Sequence, residues 1–152
     1  MEQITSKSNP DRISVELSAR RTGMSFQRTR MSADRTLMSV IRTSLSLITF
    51  GFTIYQVLEK LREAGTIGHV SAGRNFGVAL VALGIAMLVI GIIYHVQFMV
   101  GLREVRATMT EEGLIHGESR FPPSLTLITA VILLIIGVAA IVSMLFQIGP
   151  FG

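Results

Sequence analysis

A stripe of polar and charged side chains runs through an otherwise apolar part of the sequence. From Arg28 onward, alternating steps of four and three residues reach only polar positions: Ser32, Arg35, Ser39, Arg42, Ser46, Thr49, Thr53, Gln56 and Lys60. This alternation is the 3.5-residue period that keeps one stripe of a helix facing a common axis. The positions between them are mainly apolar, with Thr43 and Ser44 as exceptions. Such a stripe should face water or neighbouring helices rather than lipid.

Arg42 is the member of this stripe whose chemistry is hardest to satisfy in a membrane. It lies about one and a half helical turns, or roughly 7–8 Å, inside the start of the apolar run at Leu37. An intramembrane arginine costs at least roughly 2.5–3.5 kcal/mol unless it is paired or hydrated. No apolar run of this sequence contains Asp or Glu. Two interpretations stay open: Arg42 is a structural residue that reaches headgroups or packed helices, or it faces an anion.

On the second interpretation, the stripe predicts a set of residues that line a pore or bind an anion. These residues are Arg35, Ser39, Arg42, Ser46, Thr49, Thr53 and Lys60. On the first interpretation, the hydroxyl groups bond across packed helices, and Arg35 and Lys60 extend to the headgroups from the two ends.

A second pattern lies in the middle apolar run, where Gly77, Gly84 and Gly91 recur every seven residues. A glycine stripe lets another helix approach closely, so these three residues are predicted to form a helix-packing face. His95 lies one turn beyond Gly91 on that face. It is interpreted first as a hydrogen-bonded packing residue, with a proton relay or metal site as the alternative.

Three long apolar runs must position these residues, at about 37–58, 76–100 and 123–148. Each is long enough to cross roughly 30 Å of hydrocarbon as a helix. Hydrophobic residues make up 49% of the chain and charged residues only 16%, against about 25% charged in soluble domains. We therefore predict an all-α membrane protein with three transmembrane helices.

The chain is expected to divide near residue 35. Residues 1–35 form a basic N-terminal segment, and residues 36–152 form the three-helix transmembrane domain. Arginines are interleaved with apolar residues from Asp11 to Arg35. This mixture fits an amphipathic helix on an anionic membrane surface, and it fits a partly disordered, solvated tail equally well.

The distribution of basic residues predicts the orientation in the membrane. The N-terminal segment carries seven Lys and Arg residues, each of the two loops carries three, and the C-terminal tail carries none. The N-terminus and the second loop are therefore expected in the cytoplasm and the C-terminus outside. These features predict a multi-pass protein of the cell (inner) membrane.

Catalytic chemistry is not expected from this sequence. Cysteine is absent, and there is no phosphate-binding loop, His-Glu-x-x-His zinc motif or Gly-x-Ser-x-Gly elbow. No catalytic residue, metal site, cofactor or nucleic-acid partner is predicted. The expected partners are the lipid bilayer, further copies of the chain and an anion.

Residues 34–48 read DRTLMSVIRTSLSLI, which resembles the ERTFLAWIRTSLAL signature of the YidH-like family, "domain of unknown function 202". Asp34 replaces the usual Glu, and Val40 replaces the usual Trp. The family's eukaryotic relatives include the small subunit of the vacuolar transporter chaperone complex. There, the three-helix domain looks like a conduit for polyphosphate. The resemblance implies that Arg35 and Arg42 line such a conduit, in a membrane module that is not an enzyme.

Together these observations predict a homo-oligomer whose first helices surround a polar seam, with five copies slightly favoured over three. The seam would form an anion-binding path or pore, for phosphate or polyphosphate. The alternative is a non-conducting scaffold or accessory subunit, whose seam is buried against partner membrane proteins.

Overall fold

A computed structural model describes residues 10–65, 71–111 and 124–146 of the chain. These residues form three helices: α1 (Pro10–Glu63), α2 (Ser71–Glu111) and α3 (Leu125–Phe146). All three are long and apolar enough to cross a membrane. The prediction of an all-helical protein with three membrane-length helices is confirmed.

The helices do not end where the apolar runs end. α1 begins far before Leu37, and α2 extends past its apolar run at both ends. Hydropathy marks the residues that tolerate lipid, whereas backbone hydrogen bonds continue through any sequence of good helix formers. No proline interrupts α1 after Pro10. For the basic N-terminal segment, the sequence allowed either an amphipathic helix or a solvated tail. The structure shows a helix from Pro10 onward, and residues 1–9 lie outside the described part.

The chain divides into two compact units. The described part of the first contains residues 10–33 of α1 and 96–111 of α2. Its surface carries an ion pair between Arg20 Nε and Glu16 Oε1 at 2.9 Å. The described part of the second contains residues 34–65, 71–95 and 124–146. The second unit thus holds segments of all three helices.

The second unit is an up-down-up arrangement, as its close contacts show. A Cβ built on Gly77 would lie 2.8 Å from the Gly51 carbonyl oxygen, and one on Gly91 would lie 2.7 Å from Val40 Cγ1. The α1 partner number falls as the α2 number rises, so the two helices are antiparallel. The start of α3 contacts α1 near Asp34, and the end of α3 contacts α1 at Tyr55. α3 is therefore parallel to α1.

The core of this unit lies along one side of α1. Leu37 and Ile41 pack with Leu88 and Ala130 in one cluster, while a second cluster occupies the other end of the unit. The second cluster contains Ile48, Tyr55, Val81 and Met144. The buried positions of α1 follow steps of four and three: Leu37, Ile41, Ser44, Ile48, Gly51 and Tyr55. The buried face of α1 thus has the same 3.5-residue period as its polar stripe.

α3 is hydrogen-bonded to α1 near both of its ends. The Ser124 hydroxyl donates to Asp34 Oδ1 at 2.6 Å, and the Tyr55 hydroxyl donates to the Met144 carbonyl at 2.7 Å. That carbonyl is among the last four of the helix, which have no intrahelical donor. Asp34 and Tyr55 are separated by about 30 Å of helix, which matches the hydrocarbon thickness of a bilayer.

Ser124→Ala should destabilise the second unit by about 0.5–2 kcal/mol. Ser124 Oγ accepts a bond from the Leu127 N–H at the start of α3 while it donates to Asp34, so alanine removes both bonds. Thermal unfolding in detergent should show a lower midpoint. The matched control is Thr129→Ala, because the exposed Thr129 hydroxyl bonds only the Leu125 carbonyl of its own helix. Equal midpoints for the two variants would contradict the capping role.

Candidate functional site: the exposed polar face of α1

The predicted stripe residues of the second unit share one side of α1. Seven of them are exposed, namely Arg35, Ser39, Arg42, Ser46, Thr49, Thr53 and Lys60. Gln56, which follows the same spacing, is intermediate. Since α2 and α3 pack on the face containing Leu37 and Ile41, they leave the stripe uncovered.

The outer surfaces of the other two helices differ in chemistry from this stripe. In the second unit, the exposed large side chains of α2 include Leu83 and Ile90, and those of α3 include Ile132 and Ile135. Such side chains are suited to lipid. The exposed stripe of α1 is polar and basic by comparison, so it requires a different environment from the rest of this surface.

The positive charges of the stripe lie toward its two ends. Arg35 is adjacent in sequence to Asp34, whose contact with Ser124 marks one end of the unit. Lys60 lies five residues after Tyr55, whose hydrogen bond to the Met144 carbonyl marks the other end of the unit. Among residues 10–65, 71–111 and 124–146, neither Arg35 nor Arg42 forms an ion pair. Both guanidinium groups therefore have hydrogen-bond donors to offer to water or an anion.

The hydroxyl groups in the middle of the stripe are partly satisfied by their own helix. Ser46 Oγ donates to the Arg42 carbonyl at 2.9 Å, and Thr53 Oγ1 donates to the Thr49 carbonyl at 2.8 Å. Each hydroxyl has one proton, so these groups present acceptor lone pairs outward. The strong anion-binding donors are thus the arginines, and the stretch beyond Arg42 is polar but uncharged as far as Thr53.

The three predicted packing glycines lie against α1 of the same chain. A Cβ built on Gly84 would lie 2.8 Å from Ile48 Cγ1 and 3.0 Å from the Ser44 carbonyl oxygen. Gly77 and Gly91 make the close approaches to α1 described above. Sequence reasoning missed Gly51, where a Cβ would lie 2.6 Å from the Gly77 carbonyl oxygen. Its place at the 3.5-residue spacing of the α1 core was the available signal.

Asp34, His95 and Ser124 bring the three helices together at one end of the unit. His95 is only 3% exposed, and its Nε2 lies 3.6 Å from Asp34 Oδ1. Neither ring nitrogen has a hydrogen-bond partner among the described residues. The spacing of His95 relative to Gly91 indicated a packing position, but it gave no sign of the contact with Asp34. That residue was noted only for its place in the family signature.

The burial of a second polar residue, Ser44, was not predicted. Ser44 is completely buried, and its hydroxyl has no hydrogen-bond partner within the described residues. No group of three or more potential metal ligands occurs in the described part of the chain. The exposed stripe of α1 carries hydrogen-bond donors that a ligand can reach. The geometry therefore favours this stripe as the candidate functional site.

The comparison with known families agrees with the helices that build this site. The sequence profile of the family described as "Domain of unknown function (DUF202)" matches residues 20–101. The match covers the stripe of α1 and the packing glycines of α2, and it ends before α3. No curated protein and no solved structure matches the chain significantly. Because the match spans more than half of the 152 residues, this multi-pass membrane protein belongs to the DUF202 (YidH-like) family.

Proposed function

We propose that copies of this chain assemble with their α1 stripes around a common axis and form a path for anions across the membrane. The observation that carries the proposal is the exposure of the whole stripe from Arg35 to Lys60, apart from the intermediate Gln56. α2 and α3 cover the opposite face of α1. A single copy would therefore present Arg42 to lipid, which is costly.

The positive charges favour an anion as the species that uses this path. Stripes that meet at an axis bring the copies of Arg35 and Arg42 close to one another, and like charges repel. Anions and water in the path relieve this repulsion, and rings of arginine attract anions in preference to cations. Phosphate or polyphosphate fits this chemistry, and in eukaryotic relatives of the family the corresponding three-helix domain looks like a conduit for polyphosphate.

The sidedness and the copy number are parts of the same proposal. With the N-terminus in the cytoplasm, as the basic-residue distribution favours, Arg35 and Arg42 lie at the cytoplasmic entrance in the inner membrane. Five copies leave room for water between the stripes, whereas three copies would close them. No catalytic step is assigned to the chain.

Flux and stoichiometry of the purified protein test the proposal together. Native mass spectrometry of the detergent-extracted complex should report a closed oligomer of a single size, with retained anions. Liposomes that contain the protein should release trapped phosphate faster than empty liposomes. A monodisperse oligomer that passes no anion under any gradient would refute the path.

A non-conducting scaffold is the second candidate, and the hydroxyl geometry gives it a specific basis. Ser46 and Thr53 satisfy their hydroxyl protons within α1, so this stretch can pack against a partner helix without water. On this alternative, the stripe is covered by partner membrane proteins. Co-purified partners, together with an absence of flux, would favour the scaffold.

A further inference from the structure

The contact between His95 and Asp34 joins two titratable side chains that the proposed path does not use. His95 is buried in α2, and its Nε2 lies 3.6 Å from Asp34 Oδ1 on α1. The Asp34 side chain is 27% exposed, so protons can reach the pair from water. Ser124, at the start of α3, donates to the same carboxylate oxygen. The pair therefore lies where all three helices of the second unit meet.

His95 and Asp34 are in contact without a hydrogen bond between them. A hydrogen bond from a charged nitrogen to a carboxylate oxygen is about 2.7–2.9 Å long, which is shorter than the observed separation. Neither ring nitrogen of His95 has a hydrogen-bond partner among the described residues, and an unpartnered buried polar group is costly. When Nε2 gains a proton, its N–H can donate to Asp34 Oδ1. The contact then becomes a hydrogen-bonded ion pair.

Asp34 is the acidic group that makes a charge on the buried ring tenable. Burial disfavours the charged ring, whereas a carboxylate beside it favours that form. α3 brings only the Ser124 hydroxyl, since residues 124–146 contain no titratable side chain. At this end of the second unit, the other charged residues of α1 are Arg35 and Arg42, which are exposed on the stripe. The remaining charged residues in the described part of that unit lie at its opposite end: Glu59, Lys60, Arg62, Glu63 and Arg74.

Proton uptake by this pair changes the net charge beside the stripe. With His95 neutral, the pair carries the negative charge of Asp34, which is adjacent in sequence to Arg35. That charge weakens the attraction of Arg35 for an anion. With His95 protonated, the pair is neutral overall, and Arg35 attracts anions without this opposition. Histidine is the side chain whose charge ordinarily changes between about pH 5 and 8.

We infer that His95 and Asp34 form a proton-binding site that regulates the entrance of the anion path, with higher anion flux in acid. This inference rests on the proposed anion path and specifies its regulation. The proton comes from water and binds the lone pair of Nε2. The ring thereby changes from neutral to singly positive, Asp34 stays ionised, and the hydrogen bond from Ser124 is retained.

Sulfate flux through liposomes tests the inference, with both sides of the bilayer at the same pH. Sulfate keeps its charge over the range used, whereas phosphate gains a proton. Wild-type flux should rise by about threefold or more between about pH 8 and about pH 5.5. His95→Gln should keep the low alkaline level at every pH, because the charge of Asp34 is then never compensated. Asp34→Asn should keep the high acid level at every pH, and its amide oxygen still accepts from Ser124.

Opposite flux levels in these two variants distinguish regulation from a loss of structure. The control His69→Gln/His116→Gln removes the other two histidines of the chain, which lie outside the described residues, and should keep the wild-type pH response. An unchanged pH response in His95→Gln would overturn the inference, as would equal flux in His95→Gln and Asp34→Asn proteins that unfold at the wild-type midpoint. Absent sulfate flux in the wild type at every pH would refute the proposed path itself, and its regulation with it.

Discussion

Arg42→Gln should lower anion flux in liposomes by about tenfold or more, while the oligomer keeps its copy number. A tenfold change corresponds to about 1.4 kcal/mol, which is modest for removing one charge per copy from the entrance of the proposed path. The side chain is exposed and forms no ion pair with a described residue. Its replacement should therefore leave the fold of the chain intact. Flux and native mass spectrometry should be measured on the same preparation.

Arg62→Gln provides a charge-matched control for this result. Arg62 lies off the stripe near the end of α1 and is paired with Glu59, so its loss should leave flux nearly unchanged. Arg42→Glu should shift the selectivity of the path toward cations. An Arg42→Leu oligomer that is more stable than the wild type, together with a wild type that conducts nothing, would identify Arg42 as a packing residue and favour the scaffold.

Gly84→Leu should destabilise the second unit by about 3 kcal/mol or more. The first carbon of any side chain at this position would lie 3.0 Å from the Ser44 carbonyl oxygen, a backbone atom that cannot move independently of α1. A leucine would therefore separate α1 from α2 along their contact. Thermal unfolding in detergent should show a much lower midpoint, and size-exclusion chromatography should show aggregated material.

Two controls separate helix contact from the intrinsic effect of the substitution. Gly101→Leu introduces the same side chain into the same helix, where a Cβ has no neighbour within 4 Å. Ile93→Leu changes an exposed apolar position of α2. Both variants should unfold close to the wild-type midpoint. A Gly84→Leu protein with an unchanged midpoint would show that α1 and α2 do not approach each other at this glycine.

Much of this architecture could be predicted from local sequence patterns. Three runs without acidic residues indicate three membrane-length helices, because hydrocarbon excludes charge over a fixed thickness. The stripe from Arg35 to Lys60 also followed from spacing alone, since a helix places residues of a 3.5-residue period on one face. The same periodicity marked Gly77, Gly84 and Gly91 as a packing face. All of these features depend on neighbours within a few turns of one helix.

Other features depend on contacts between residues far apart in the chain. The bonds from Ser124 to Asp34 and from Tyr55 to Met144 join residues 90 and 89 positions apart, and no periodicity links them. Hydropathy could not show that α1 begins at Pro10, because helical hydrogen bonds do not depend on the surrounding solvent. The glycine pattern predicted a close helix contact without its partner, which the structure identifies as α1 of the same chain. Periodicity determines which residues share one face of a helix, whereas only tertiary packing determines what that face contacts.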